Sequence, residues 1–115
     1  MATETATERV RRGAQLLDER EPGWAGRIDL GKLELASHCR CIVGQLAGGS
    51  GQGDEPYETG LRALGIDYRD EADRDHGFNI PAGAMGDDDA VEAWAELDRL
   101  WAAEILARRT GAGGT

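Results

Sequence analysis

The chain has 115 residues and a formal net charge of −9, which suits one ordinary domain and excludes two independent cores of usual size. Leu, Ile, Val and Phe together number only 20, a composition that at this charge warns of disorder, but three Trp and two Tyr each bury far more area than a Val. No apolar run approaches the ~18–20 residues of a membrane span, and the N-terminus carries Thr and Glu where a signal peptide has a basic and then an apolar stretch, so a soluble, cytoplasmic protein with a small core is expected.

Thr5 and Glu8 have the spacing of a capping box, in which the hydroxyl accepts from one unpaired backbone N–H and the carboxylate from another. Ala6, Val10, Ala14 and Leu17 then recur at helical spacing, with Arg11, Gln15, Asp18 and Glu19 elsewhere on the wheel. Pro22 ends this first helix, because the residue before a proline is pushed out of the helical region. Pro22, Gly23 and Trp24 open a short helical turn that buries Trp24 and Ile28. From Asp29 to Ser37 the apolar residues alternate at Leu33 and Leu35, a pattern compatible with an extended segment, a short strand or a helical turn.

Ser37 is the expected N-cap of the next helix. Cys39, Ile42, Val43 and Leu46 form its apolar stripe, and Gly48 and Gly49 end it. Residues 47–54 read as a flexible Gly-rich loop. Pro56 suits the first turn of a further helix, with Asp54 or Glu55 at its positive end; Tyr57, Leu61 and Leu64 face one way, and Gly65 followed by Ile66 has the form of a Schellman ending. Asp67 is placed to cap one more short helix that closes at Gly77, with Phe78 packing back. Residues 79–86 form a loop containing Pro and Gly. Asp87, Asp88 and Asp89 start the last helix, which runs to about Arg109 with Val91, Trp94, Leu97, Trp101, Ile105 and Leu106 on one broad face, Arg108 and Arg109 complementing its negative end. Residues 1–4 and 110–115 are expected to fray.

Charge is uneven along the chain. Residues 1–46 hold 7 acids and 7 bases, residues 47–90 hold 11 and 3, and residues 91–115 hold 4 and 3. An acidic middle disfavours direct nucleic-acid binding, which needs clustered Lys and Arg. It leaves open a basic protein partner, a cation, or plain solubility. Of the 13 bases only Lys32 is a lysine, a usage that fits a genome of high GC content.

His38, Cys39, Cys41 and His76 supply the nominal inventory of a zinc site. Their spacing argues against one: His76 has no partner two to four residues away, and in a helix over 38–46 Cys39 and Cys41 point roughly 160° apart. The expectation is instead a buried Cys39 and a partly exposed Cys41 thiol. Asp67, Asp70, Glu71, Asp73 and Asp75 suggest a calcium loop, but counting from Asp73 puts Phe78 where the turn glycine belongs and Ala84 where the bidentate Glu belongs. They are read as a solvated helix face. A Cys41–His76 catalytic pair has nothing in the sequence to bring it together, and the glycines of residues 48–53 lack the Lys and Ser/Thr of a phosphate loop. Asp98 falls inside the apolar face of the last helix and therefore needs a partner, either Arg27 or Arg40 or unpaired N–H groups of another element.

Short pieces of the chain form an ordered set of motifs: Leu17-Asp18-Glu19; Pro22-Gly23-Trp24 with Ile28-Asp29-Leu30; Cys41-Ile42-Val43-Gly44-Gln45-Leu46; Gly60-Leu61 with Leu64-Gly65; His76-Gly77-Phe78; and Leu100-Trp101 with Glu104-Ile105. In these pieces, spread over about residues 14–108, the chain resembles a group of small, mostly uncharacterised proteins of actinobacteria and their phages. The resemblance implies neither reaction nor ligand.

The expected fold is all-α, a single domain over residues 1–115 of about five helices with the long C-terminal helix central; an α+β form with a short strand pair near residues 33–36 is the alternative. The expected function is that of a small non-enzymatic accessory or interaction protein, phage-related, without a cofactor, that meets a protein partner through the acidic surface of residues 47–90, with Asp67, Asp70, Glu71 and Asp73 as contact candidates. A metal- or ligand-binding protein using His38, Cys41 and His76, and an acidic DNA mimic, are the alternatives.

Overall fold

A computed structural model describes residues 5–37, 40–47, 55–66, 72–80 and 88–110. Among these residues there are six helices and no strand: α1 (Ala6–Arg20), α2 (Trp24–Arg27), α3 (Ile42–Leu46), α4 (Glu55–Ala63), α5 (Ala72–Asp75) and α6 (Asp88–Thr110). The protein is all-α. The stretch from Asp29 to Ser37 is a succession of turns, so the strand pair is not formed.

The capping box at the head of α1 is complete: the Thr5 hydroxyl accepts from the Glu8 amide and the Glu8 carboxylate accepts from the Thr5 amide, both at 3.1 Å. Val10, Ala14 and Leu17 bury the predicted stripe, joined by Gly13. After Pro22, Gly23 takes a positive φ and α2 buries Trp24. The ending of α4 is the full Schellman pair, with the Gly65 amide donating to Arg62 O and the Ile66 amide to Leu61 O. The same pair closes α5, where Gly77 donates to Arg74 O and Phe78 to Asp73 O. Phe78 packs back as expected, 1% exposed.

Three aromatic rings form the centre. Trp101 of α6 stacks on Phe78, with ring centres 5.3 Å apart, and meets the edge of Trp24 at 5.8 Å. Its indole N–H donates to Gly77 O at 2.7 Å, which satisfies the one polar atom that so deep a ring carries. Helix α1 can lie on this turn only because both surfaces lack side chains. A Cβ on Gly13 would sit 2.0 Å from His76 O, and one on Gly77, whose φ is +74°, would sit 2.8 Å from the Val10 backbone. A second contact of this kind joins α3 to α4, where a Cβ on Gly60 would come within 2.4 Å of Val43 O.

Two expected boundaries move. The third helix begins at Ile42 instead of following Ser37, and its cap is Cys41, whose Sγ accepts from the Gly44 amide at 3.3 Å. Ser37 Oγ accepts from Arg40 N within the preceding turn. Thr110 is still helical. The apolar face of α6 is also narrower than the sequence suggests: Leu97, Trp101 and Ile105 are buried, Trp94 is half-buried, and Val91 and Leu106 are exposed. At 100° per residue they lie roughly 80° and 140° round from Trp101, beyond the strip that α1 and α2 cover. Asp87, the Asp67 cap, residues 48–54, and the terminal stretches 1–4 and 111–115 lie outside the described residues.

Candidate functional site

The chemistry-bearing side chains do not converge on one place. Asp73, expected on a solvated face and as a partner contact, is instead 3% exposed. Its Oδ2 accepts from Tyr57 Oη at 2.6 Å and from Asn79 Nδ2 at 3.1 Å. The reversal comes from packing between segments: Tyr57 of α4 and Asn79 beyond the α5 turn both close on the Asp73 carboxylate. Burial and the adjacent carboxylate push the Tyr57 phenol well above its ordinary pKa, so the hydroxyl stays protonated and acts as donor. The cluster ties α4 to α5 and to the segment that follows. Asp67, Asp70 and Glu71 lie outside the described residues.

Cys41 is 1% exposed, against the expectation of a partly exposed thiol. Its position as cap turns the sulfur inward over the first turn of α3. His76 Nδ1 lies 2.8 Å from Ala72 O, and its ring stacks near Phe78. Both groups are engaged where they stand, and His38 and Cys39 lie outside the described residues. Among the described residues no three His, Cys, Asp or Glu side chains are grouped so as to hold a metal ion.

Asp98 has a partner of the second kind considered: its Oδ1 accepts from the Leu35 amide at 2.7 Å. Arg27 pairs with Glu21 at 3.4 Å instead. Desolvation raises the Asp98 pKa, the Leu35 amide opposes that rise, and nearby Glu34 adds to it. The carboxylate thus anchors a connection without regular hydrogen bonding to the middle of α6. Gln45 performs the same task from α3. Its Oε1 accepts from Asp29 N at 2.7 Å, and its Nε2 donates to Asp29 O and to Arg40 O.

A third polar cluster closes the α1–α6 side. Arg108 forks onto both oxygens of Asp18 at 2.9 and 2.8 Å, reaches Glu104 at 2.6 Å, and lies over the Trp24 ring, 5.4 Å from its centre. Asp18 also accepts from Trp24 Nε1 at 2.9 Å. The Arg108 bond holds the Asp18 pKa below its ordinary value against desolvation. Arg109 donates to Ala25 O and Ile28 O, fixing α2 to the end of α6.

The sequence places Tyr57 on an apolar stripe, Arg108 at a helix end and Gln45 within a motif, but assigns a polar partner to none of them, nor to Asn79. A Gln on a short helix, or a Tyr on an apolar stripe, shows no local signal of the distant partner it will meet. One concavity is lined by Glu21, Leu46, Ala47, Thr59, Gly60, Ala63 and Leu64, with a volume of about 220 Å³ and mostly apolar walls. No described helix is long and apolar enough to cross a membrane. Compared with family models, with curated proteins and with solved structures, the chain matches none.

Proposed function

We propose that the chain is a small non-enzymatic accessory protein that acts by binding another protein, related to the actinobacterial and phage proteins its motifs resemble, with the acidic surface of residues 47–90 as the face it offers to a basic partner. One observation carries this reading: the motif residues have structural tasks. Asp18 accepts from Trp24 and Arg108, Asp29 pairs with Gln45, Cys41 caps α3, Gly60 admits Val43, and Gly77 receives α1 and the Trp101 N–H. A motif set occupied with the scaffold leaves recognition to other residues, and the net negative charge of the sequence is concentrated between residues 47 and 90.

The burial of Asp73 changes which acids can serve. Asp67, Asp70 and Glu71 are the contact candidates, and reversing Asp73 would test the fold instead of the interface. The tagged chain is used to capture partners from an actinobacterial lysate at low and at physiological salt. A basic protein retained at low salt, weakened by added salt, and lost with the triple variant D67K/D70K/E71K at unchanged circular dichroism is the expected result. A complex that survives those reversals overturns the acidic-face reading. Displacement of the partner by duplex DNA would make the face a DNA mimic.

A further inference from the structure

Val91 and Leu106 are the large apolar residues that the described structure leaves exposed, at 70% and 48%. Single exposed apolar residues are ordinary; the placing of these two is not. Both lie on α6, and with Ala95 and Ala102 between them they stay within roughly 30° of one line along the helix at 100° per residue. The seam reads alike from both ends about the midpoint between Asp98 and Arg99. Val91 stands as far from that midpoint as Leu106, Ala95 as far as Ala102, and Asp88 as far as Arg109.

A two-fold interface is isologous, so one patch must complement itself. When two helices pair antiparallel about such an axis, each residue meets the one equally far on the other side of the midpoint. The α6 sequence then sets apolar against apolar, small against small, and the acid-bearing first turn against the basic last turn. The opposed helix dipoles add to the same sense. Nearest the axis, Arg99 on one flank and Asp98 on the other stand equally close to the midpoint, and each approaches its own counterpart in the second copy. Both like-charge contacts are limited from within the chain: Glu96 lies 3.6 Å from Arg99, and the Asp98 carboxylate is turned onto Leu35.

We propose that a second copy of this chain docks on this seam, forming an antiparallel two-fold dimer through Val91, Ala95, Ala102 and Leu106. At about 1.5 Å per residue the seam from 91 to 106 spans roughly 22 Å, less than a standard interface needs for its ~800 Å² per partner. The dimer is therefore weak and concentration-dependent. Val91, Ala95, Ala102 and Leu106 all lie outside residues 47–90, so the dimer stands or falls independently of the acidic face.

Sedimentation velocity of the full chain over about a hundredfold range of concentration is expected to pass from the 12.3 kDa monomer toward twice that mass. V91E and L106K, at exposed positions that leave the circular dichroism unchanged, each abolish the larger species. The double variant V91E/L106K restores it, because antiparallel pairing sets each new Glu against a new Lys. A chain that stays monomeric at every concentration, or a dimer indifferent to both single variants, overturns the proposal. Single variants that break the dimer without rescue by the double overturn the antiparallel register.

Discussion

The turn at residues 76–80 and the connection from Ile28 to Cys41 both pack against α6, yet they are held by opposite means. The turn is held by shape. Two glycines remove the side chains that would keep α1 away, Phe78 stacks on Trp101, and the single polar contact to the indole is deeply buried. The connection is held by address. Among its described residues only Ile28, Leu35 and Cys41 are buried, and two side chains, Gln45 and Asp98, take hold of individual backbone groups. Dense packing tolerates almost no added atom, whereas a connection fixed at a few polar points loses its anchors one at a time.

This contrast is broken most severely at the glycines. Gly77→Ala combines a left-handed conformation, which costs an L-residue about 1–2 kcal/mol, with a backbone collision at Val10 that costs roughly 1–3 kcal/mol more. Gly13→Ala collides with His76 O and is expected to be comparably damaging. Gly23→Ala is the control: φ is +84° but nothing lies near its Cβ, so only the conformational cost of about 1–2 kcal/mol remains. Urea unfolding of the three variants measures the difference. If Gly13→Ala unfolds no more easily than Gly23→Ala, the close approach of α1 to the turn is wrong.

The buried Asp73 cluster stands second in magnitude. Tyr57→Phe leaves Asp73 Oδ2 with Asn79 alone, a loss of about 1–3 kcal/mol for a buried acceptor short of a donor. Asp73→Ala removes the buried acceptor that the Tyr57 hydroxyl and the Asn79 amide share and is expected to cost more. Equal losses in the two variants would show that the carboxylate contributes nothing beyond the tyrosine bond.

Gln45→Ala sharpens the other side of the comparison. It removes three hydrogen bonds to the connection at a half-exposed site, so each is worth at the low end of about 0.5–1.5 kcal/mol. Amide exchange should accelerate at Asp29 while the Trp101 indole N–H stays protected. Uniform acceleration at both would mean that the connection and the aromatic centre open as one unit.

Legibility in the sequence follows the same division. What depends on neighbours a few residues away could be read directly: the Thr5–Glu8 box, the stop at Pro22, the Schellman ending at Gly65, the helix stop at Gly77, and the inward face of Trp24. What depends on a meeting between distant segments could not. Asp73 looks like Asp70 or Asp75 until Tyr57, sixteen positions earlier, is placed above it. Ser37 is a better cap by residue type than Cys41, but the chain is still in a turn at Ser37, and the helix starts only where Ile42 and Val43 enter the core. Val91 and Leu106 fit an apolar wheel, yet α1 and α2 cover only a narrower strip. Asp98 is the intermediate case: its place on the helix announced that a partner was needed, and the irregular connection that supplies one carries no period to announce it.

The smallest expected effect is in pH dependence, where Asp98 and Asp18 have opposite signs. The folded pKa of Asp98 lies above its unfolded value, mainly by desolvation, so between those two values the folded state binds more protons and stability rises as pH falls. For Asp18 the folded pKa lies below the unfolded value, mainly through Arg108. Its contribution is fully present above the ordinary carboxylate range and is lost as pH falls through the folded value. Melting curves between neutral and acid pH separate them. Asp18→Asn should flatten the acid-side loss. Asp98→Asn keeps an oxygen for the Leu35 amide while removing a poorly solvated charge, so at neutral pH its stability should equal or slightly exceed the parent's, within about 1 kcal/mol, and the acid-side gain should vanish. A clear loss at neutral pH would mean that the connection is held by the Asp98 charge itself, beyond the geometry of one acceptor.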